Sequence, residues 1–416
     1  MAKPTRREIL KAVGAAAANM SLGAALPAKT LAGRWDSLVI GAGVFGAWTA
    51  RQLRAKGQRV LLIDARGPAN ALASSGGESR MTRAGYGADA LYSRMALESL
   101  AEWRRLSDRA ELPLFHDTGV LFFFAQLESY LQDSLRVHRE LGLPSQLLER
   151  DQLRRRWPQI EWSDITAGLY EPEFGVLMAR RAVQTLVSQF VADGGSYTLA
   201  QVVPIEPHSG AELESLSING SEIRADAFVF ACGPWLPKLL PQTLGTRIFP
   251  TRQEVFFFAP PAGDARFSVQ QLPGWADFNA GDIYYGFPNI EGRGFKIAHD
   301  RHGPACDPDS MERSLDAAAL ADVRAYVARR FPALTAQPLV ESRVCQYENS
   351  SNGDLLIDRH PTLGDCWLVG AGSGHGFKHG PAVGRLAASL VLGRKASAEP
   401  RFSITTKLEQ QQRLVH

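Results

Sequence analysis

Short apolar runs along this chain end on glycines and are followed by stretches of helical composition. Residues 35–40 (WDSLVI) form a mostly apolar, strand-like run that stops at GAGVFG, 41–46. Residues 47–56 then have helical composition, Gly57 closes them, and a second apolar run at 60–63 ends on Asp64. Two later runs also stop at glycine, 227–233 (AFVFACG) and 366–372 (CWLVGAG). The second leads through Ser373, Gly374, His375 and Gly376 into a helical stretch from about 381 to 392. Strand, glycine turn and helix in that order are the parts of a doubly wound parallel sheet. Between these parts lie aromatic and β-branched segments such as 255–258 (VFFF) and 282–288 (DIYYGFP), whose content is that of antiparallel strands. The expected fold class is α/β: a Rossmann-like doubly wound domain interrupted twice by a β-rich antiparallel substrate domain, with the ligand cleft between them.

The first glycine turn carries specific chemistry. Gly41 permits the tight turn, Gly43 lets backbone approach a pyrophosphate, and Gly46 allows close helix–strand packing. The helix that follows offers free N–H groups and the positive end of its dipole to phosphates. Asp64 stands where an acid accepts from an adenosine ribose hydroxyl.

Composition narrows the field further. With 416 residues, 45% hydrophobic and 21% charged, the chain can bury a sizeable core without disulfide staples. A net charge of +3 is too small to argue for nucleic-acid binding. Cys232, Cys306, Cys345 and Cys366 are too scattered for a disulfide framework or a paired zinc site. The start of the chain reads as an address. A basic region (Lys3, Arg6, Arg7, Lys11) precedes an Ala-rich, weakly apolar stretch, and residues 5–11 (TRREILK) resemble a twin-arginine export signal. Cleavage near Ala28 would remove four basic residues against one acid, Glu8, so the excess positive charge belongs to the signal. The expectation is a periplasmic or otherwise exported protein, handled by the twin-arginine machinery, with no transmembrane segment in its mature form.

Beyond these local readings, the sequence resembles the FAD-dependent amine and amino-acid oxidases of the D-amino-acid oxidase superfamily. The likeness is to the branch holding monomeric sarcosine oxidase and the N-methyl-tryptophan and pipecolate oxidases. It spans about 36 to 393 through ordered motifs: GAGVFG at 41–46, SSGGESRMTRAGYG at 74–87, TGVL at 118–121, RWPQI at 156–160 and EPEFGVL at 171–177. YYGFP at 284–288, GFK ending at Lys296, VCQYENSSNGDLLIDRHP from Val344 and GAGSGHGFK ending at Lys378 complete the series. The resemblance implies FAD, attached covalently through Cys345 to the flavin 8α-methyl. On residue type alone Cys345 would be a small buried hydrophobe. It places Lys296 beside the flavin to promote reaction with O2, where a preorganised cation stabilises developing superoxide. Arg83 and Lys378 match the pair that binds a substrate carboxylate, a task suited to a guanidinium fork and a second cation. Arg80 matches a flavin-proximal residue, and Gly374, His375 and Gly376 form a loop beside the flavin pyrimidine edge. Ser74, Ser79 and Gly233 fall in the cofactor motifs, and Tyr285 falls in the substrate motif.

Three departures bear on the substrate. Glu348-Asn349-Ser350-Ser351-Asn352 replaces a Thr-x-Thr-Pro-Asp run, and Glu348 is expected to add a carboxylate where an amine could pair. Asp300 replaces an active-site histidine, with His299 and His302 close by, and Gly76 replaces a flavin-proximal histidine. The expected domains are a signal at 1–32, an FAD-binding domain at 33–110, 180–246 and 342–400, and a substrate domain at 111–179 and 247–341. The expected function is FAD-dependent oxidation of the C–N bond of a carboxylate-bearing small amine, N-methyl or cyclic, by O2. Two alternatives stay open: a dehydrogenase using a quinone-type acceptor, and a flavin-binding protein with little turnover.

Overall fold

The computed structural model describes residues 33–205, 212–218, 220–279, 282–394 and 399–411; the expected signal at 1–32 lies outside them. A six-stranded sheet runs in the order Ser196–Leu199, Val60–Asp64, Ser37–Ile40, Phe228–Phe230, Cys366–Gly370, Leu356–Arg359. Its first five strands are parallel and the last is antiparallel. The central strands are covered on both faces, so Leu38, Val39, Leu61, Leu62, Phe228 and Val229 are all fully buried. That burial is why they read as continuous apolar runs rather than alternating ones. Their carboxyl ends converge on Gly41, Asp64, Ala231 and Ala371, the crevice where an open α/β sheet binds its ligand.

Two expected elements shift. The helix begins at Val44, giving Val44–Ala55, because Gly43 already serves as its N-cap. The run 35–40 splits at Asp36: Arg34–Trp35 pairs with Ser221–Ala225 in a separate small sheet. Asp36 spends its carboxylate on the Arg59 N–H, at 2.7 Å, and so leaves the ladder. The helix Gly380–Gly393 crosses Val44–Ala55 closely, since a Cβ at Gly384 would stand 2.6 Å from the Trp48 backbone carbon.

The second sheet has eight strands in the order Leu339–Ser350, Ile248–Phe258, Phe295–Asp300, Asp282–Phe287, Gly274–Asn279, Val120–Phe124, Ala167–Glu171, Gln146–Glu149. It is antiparallel, as the aromatic segments predicted, apart from one parallel pairing of Gly274–Asn279 with Val120–Phe124. Leu339–Ser350 pairs with Ile248–Phe258 until Ser350 faces Ile248. Residue 342 therefore lies inside a strand of this sheet. That strand carries Cys345, Tyr347 and Glu348 from the second sheet to the crevice of the first.

Candidate active site

One elongated cavity follows the carboxyl ends of the parallel strands. Gly41, Gly43, Asp64, Ser74, Ser75, Gly233, Glu348 and Gly376 line it. The three glycines of the turn sit in different surroundings. Gly41 has φ +102°, and a Cβ there would lie 2.4 Å from the Ala231 carbonyl oxygen. A Cβ at Gly46 would lie 1.8 Å from the Gly41 oxygen, so it is a packing residue and does not line the cavity. Around Gly43 only Ser75 Oγ comes within 4 Å of a built Cβ, at 3.5 Å, so this backbone is open to a ligand. Ser75 Oγ also accepts from the Val44 N–H at 3.1 Å, fixing the first helical turn. Asp64 accepts from the N–H groups of Ala42, Arg66 and Gly67, each at 2.8 Å. Burial pushes its carboxyl up, and those backbone bonds oppose the shift.

The strand end at 371–374 supplies a second backbone concavity. Ala371, Ser373 and Gly374 all have positive φ, of 55°, 46° and 78°. Left-handed conformations at non-glycine residues store strain and collect at functional sites. The Ser373 N–H donates to the Glu348 carbonyl oxygen at 3.0 Å, which holds the concavity against the crossing strand.

A second cavity adjoins the first, sharing Ala73, Arg80, Tyr347, Gly374 and Phe377 with it. It brings together Arg83, Lys296, Lys378, Tyr285, Asp300, Cys345 and His375, which are far apart in sequence. Lys296 is 2% exposed, and its Nζ donates to Ser79 O at 3.0 Å and Ser79 Oγ at 3.2 Å. Burial, reinforced by Arg80, pushes its ammonium well below the ordinary lysine range. Ser79 thus holds the lysine and does not itself line either cavity. Ser74 Oγ donates to Gln346 O at 2.8 Å. Arg80 donates to Ser74 O at 2.6 Å and reaches Cys345 Sγ at 3.5 Å.

Arg83 and Lys378 both approach one aromatic ring. The Arg83 guanidinium sits 4.1 Å from the Tyr86 centroid and Lys378 Nζ sits 5.2 Å from it. Arg83 donates to Gly85 O, and Lys378 donates to His375 O at 2.7 Å. Two buried like charges are thereby held together by a π face and carbonyl oxygens. Tyr347 donates to Asp300 Oδ1 at 3.1 Å. Burial together with Asp300 pushes the Tyr285 phenol up to about 12, so it stays a neutral donor near neutral pH.

Sequence reasoning missed Tyr86, although it lies in the 74–87 motif. Its hydroxyl bonds His379 Nε2 at 2.7 Å and His375 Nδ1 at 3.2 Å. Glu171 was also missed: its Oε2 accepts from the Ala84 N–H at 3.0 Å beneath the Arg83 loop. A charged residue ending the apolar run 167–171 was the available signal. Of the two histidines near Asp300, His299 lines the second cavity and His302 does not. His299 is held between Asp282 and Asp322, at 2.5 and 2.8 Å, and His302 bonds Gln411. Glu348 corrects a clearer expectation, since it lines the dinucleotide cavity and not the substrate cavity.

A glycine turn with open backbone, an acid at the second strand end and an adjoining cationic chamber define a dinucleotide-dependent oxidoreductase. The backbone facing Gly43 and Gly233, where a Cβ would meet nothing but Ser75 and Glu348, fits an extended cofactor such as FAD. Among the described residues there is no group of side chains arranged to hold a metal. The model of the FAD dependent oxidoreductase (DAO) family matches residues 36–390, and the chain belongs to this family. Monomeric sarcosine oxidase of Bacillus sp. (strain B-0618) is 30% identical over 369 residues, covering 87% of this chain and 93% of that protein. N-methyl-L-tryptophan oxidase of Salmonella newport (strain SL254) is 27% identical, covering 89% of this chain and 97% of that protein. Among solved structures, L-proline dehydrogenase from P. horikoshii superposes with a TM-score of 0.77 at 20% identity, over 89% of this chain and 97% of that one. The protein is a sarcosine oxidase-like, FAD-dependent enzyme of amino-acid oxidation.

Proposed function

We propose that this enzyme is exported and oxidises the C–N bond of a carboxylate-bearing amine, an N-methyl or cyclic secondary amino acid, to an imine with release of hydrogen peroxide. The carrying observation is that Arg83 and Lys378 both lie over the Tyr86 ring in the chamber that also holds Lys296 and Asp300. Glu171 and Asp300 already act on Arg83, and a substrate carboxylate would add a pairing suited to a guanidinium fork with a second cation beside it. The relatives named for sarcosine and N-methyl-L-tryptophan oxidation support the N-methyl class.

FAD, when bound, accepts the two electrons and hydrogen lost from the substrate carbon and passes electrons on to O2. The chain's own residues do the rest. Arg83 and Lys378 fix the carboxylate, and the neutral Tyr285 and Tyr347 phenols with Asp300 orient the amine end. Lys296, held by Ser79, places a cation-forming group where negative charge develops on oxygen. The amine must be neutral to give up a hydride equivalent, so rate rises with pH through the bound amine's pKa. Cys345, beside Arg80, would form the thioether to the cofactor.

The test has three parts. Incubation with N-methyl, cyclic and D-amino acids should bleach the flavin and yield peroxide; a panel giving neither refutes the activity. Flavin fluorescence should stay with the denatured protein band and leave it in Cys345→Ser. Fractionation should place the protein outside the cytoplasm, with retention inside for a variant carrying Arg6→Lys and Arg7→Lys.

A further inference from the structure

Glu348 has no part in the substrate chemistry, yet it is placed deliberately. It is 6% exposed and lines the dinucleotide cavity between the Gly41–Gly43 turn and Tyr347, one of the residues shared by the two cavities. Its Oε1 accepts from the Gly372 N–H at 3.2 Å. Its Oε2 is buried with no hydrogen-bond partner among the described residues. A Cβ at Gly233 would stand 3.7 Å from that oxygen, with only the Cδ of the same carboxyl also within 4 Å, and one at Gly370 would stand 3.4 Å from it. A buried carboxyl oxygen left without a partner is costly, so the site is incomplete until a ligand fills it.

We propose that Glu348 binds FAD as a neutral acid, donating through Oε2 to a hydroxyl of the ribityl chain, and that this makes cofactor affinity fall as pH rises.

The reading rests on FAD occupying this cavity. The groups around the carboxyl are the Ala371 and Gly372 N–H groups, the Phe45 ring beyond Gly372, the Gly370 backbone and the Leu236 side chain from neighbouring elements. The titratable group coupled to it is the Cys232 thiol, which also feels Asp64; both are anionic when ionised. The two N–H groups favour the carboxylate, but no cation among the described residues faces it, and burial outweighs them and pushes the Glu348 carboxyl up to about 7. An ionised Glu348 would then add a buried negative charge to a cavity that must take an anionic cofactor. Binding at higher pH must take up a proton, which costs up to about tenfold in affinity per pH unit. The sign follows: a carboxyl whose neutral form is favoured by binding supports FAD below about pH 7 and loses that support above it.

The test uses the Cys345→Ser holoenzyme, in which no thioether can hold the cofactor. Free FAD is read by its fluorescence on serial dilution at pH 6, 7, 8 and 9. Affinity should fall at least about tenfold from pH 6 to 9. The same protein with Glu348→Gln, which keeps both an acceptor and a donor, should hold FAD as tightly at pH 9 as at pH 6. A flat profile with Glu348 present, or a rising one, overturns the proposal. So does an equal slope in the Gln variant, which would assign the titration to another group. The profile of the Glu348 protein alone is decisive should the Gln variant fail to fold. Absence of any flavin would overturn the cofactor assignment itself, whereas bound flavin without the pH slope overturns this proposal alone.

Discussion

The two cavities are built by opposite means. The dinucleotide cavity owes its shape to backbone: glycines at 41, 43 and 233 and a strained concavity at 371–374, fixed by the N–H groups of 42, 44 and 372 bonding Asp64, Ser75 and Glu348. The adjoining chamber is made of side-chain charge: Arg83, Lys296 and Lys378, each held by a carbonyl or an aromatic face. Backbone sites tolerate no added atom, while side-chain sites tolerate truncation at the expense of affinity. Damage to the two should therefore separate cleanly.

The largest effect is expected at the glycine turn. Gly46→Val would drive its side chain into the Gly41 carbonyl, 1.8 Å from a built Cβ, where the helix Val44–Ala55 packs on the turn that ends the strand Ser37–Ile40. Overpacking of this kind costs about 3 kcal/mol or more. The ratio of flavin to protein absorbance should collapse, along with the melting temperature. Normal flavin content in Gly46→Val would contradict the division drawn here.

Truncation in the charged chamber should leave that ratio intact. Arg83→Ala or Lys378→Met removes one charge-assisted contact to a carboxylate, and kcat/KM should fall on the order of 100-fold, mostly through KM. Flavin content and visible spectrum should be unchanged. Lys296→Met should act on the other half-reaction. Reoxidation of reduced enzyme by O2, followed by stopped flow, should slow about 100-fold while reduction by substrate changes little. Equal slowing of both half-reactions would remove Lys296 from the oxygen step.

The same contrast explains what was legible in the sequence. The nucleotide half is local: run, glycine turn, helix, run and acid lie within residues 35–64, and each role follows from spacing. The charged chamber is assembled from pieces nearly 300 residues apart, Arg83 to Lys378, joined by strand pairings that no local pattern encodes. Only ordered motifs pointed to it, and they carried residue identities without directions. Glu348 is the instructive case. It follows Tyr347 directly, so alternation along the strand turns it to the opposite face, toward the cofactor. Tyr86 escaped notice because an aromatic in a motif reads as core until the cations over its ring are seen.

The smallest effect tests the seam between the two halves. Asp309, on the segment that follows the second sheet's Phe295–Asp300, bonds Arg66 at 2.8 Å, Lys238 at 2.6 Å and the Trp235 indole at 2.8 Å. These partners rim the mouth of the dinucleotide cavity, and Arg66 lies 5.0 Å from the Trp235 ring. The pairs are part exposed, so each contributes only about 0.2–1 kcal/mol and weakens with salt. In the Cys345→Ser background, Asp309→Ala should release FAD about threefold faster at low ionic strength, with the difference vanishing near 1 M salt. Substrate KM should not move, because no group in the charged chamber touches this clasp. A KM shift as large as that of Arg83→Ala would mean that the mouth of one cavity governs the geometry of the other.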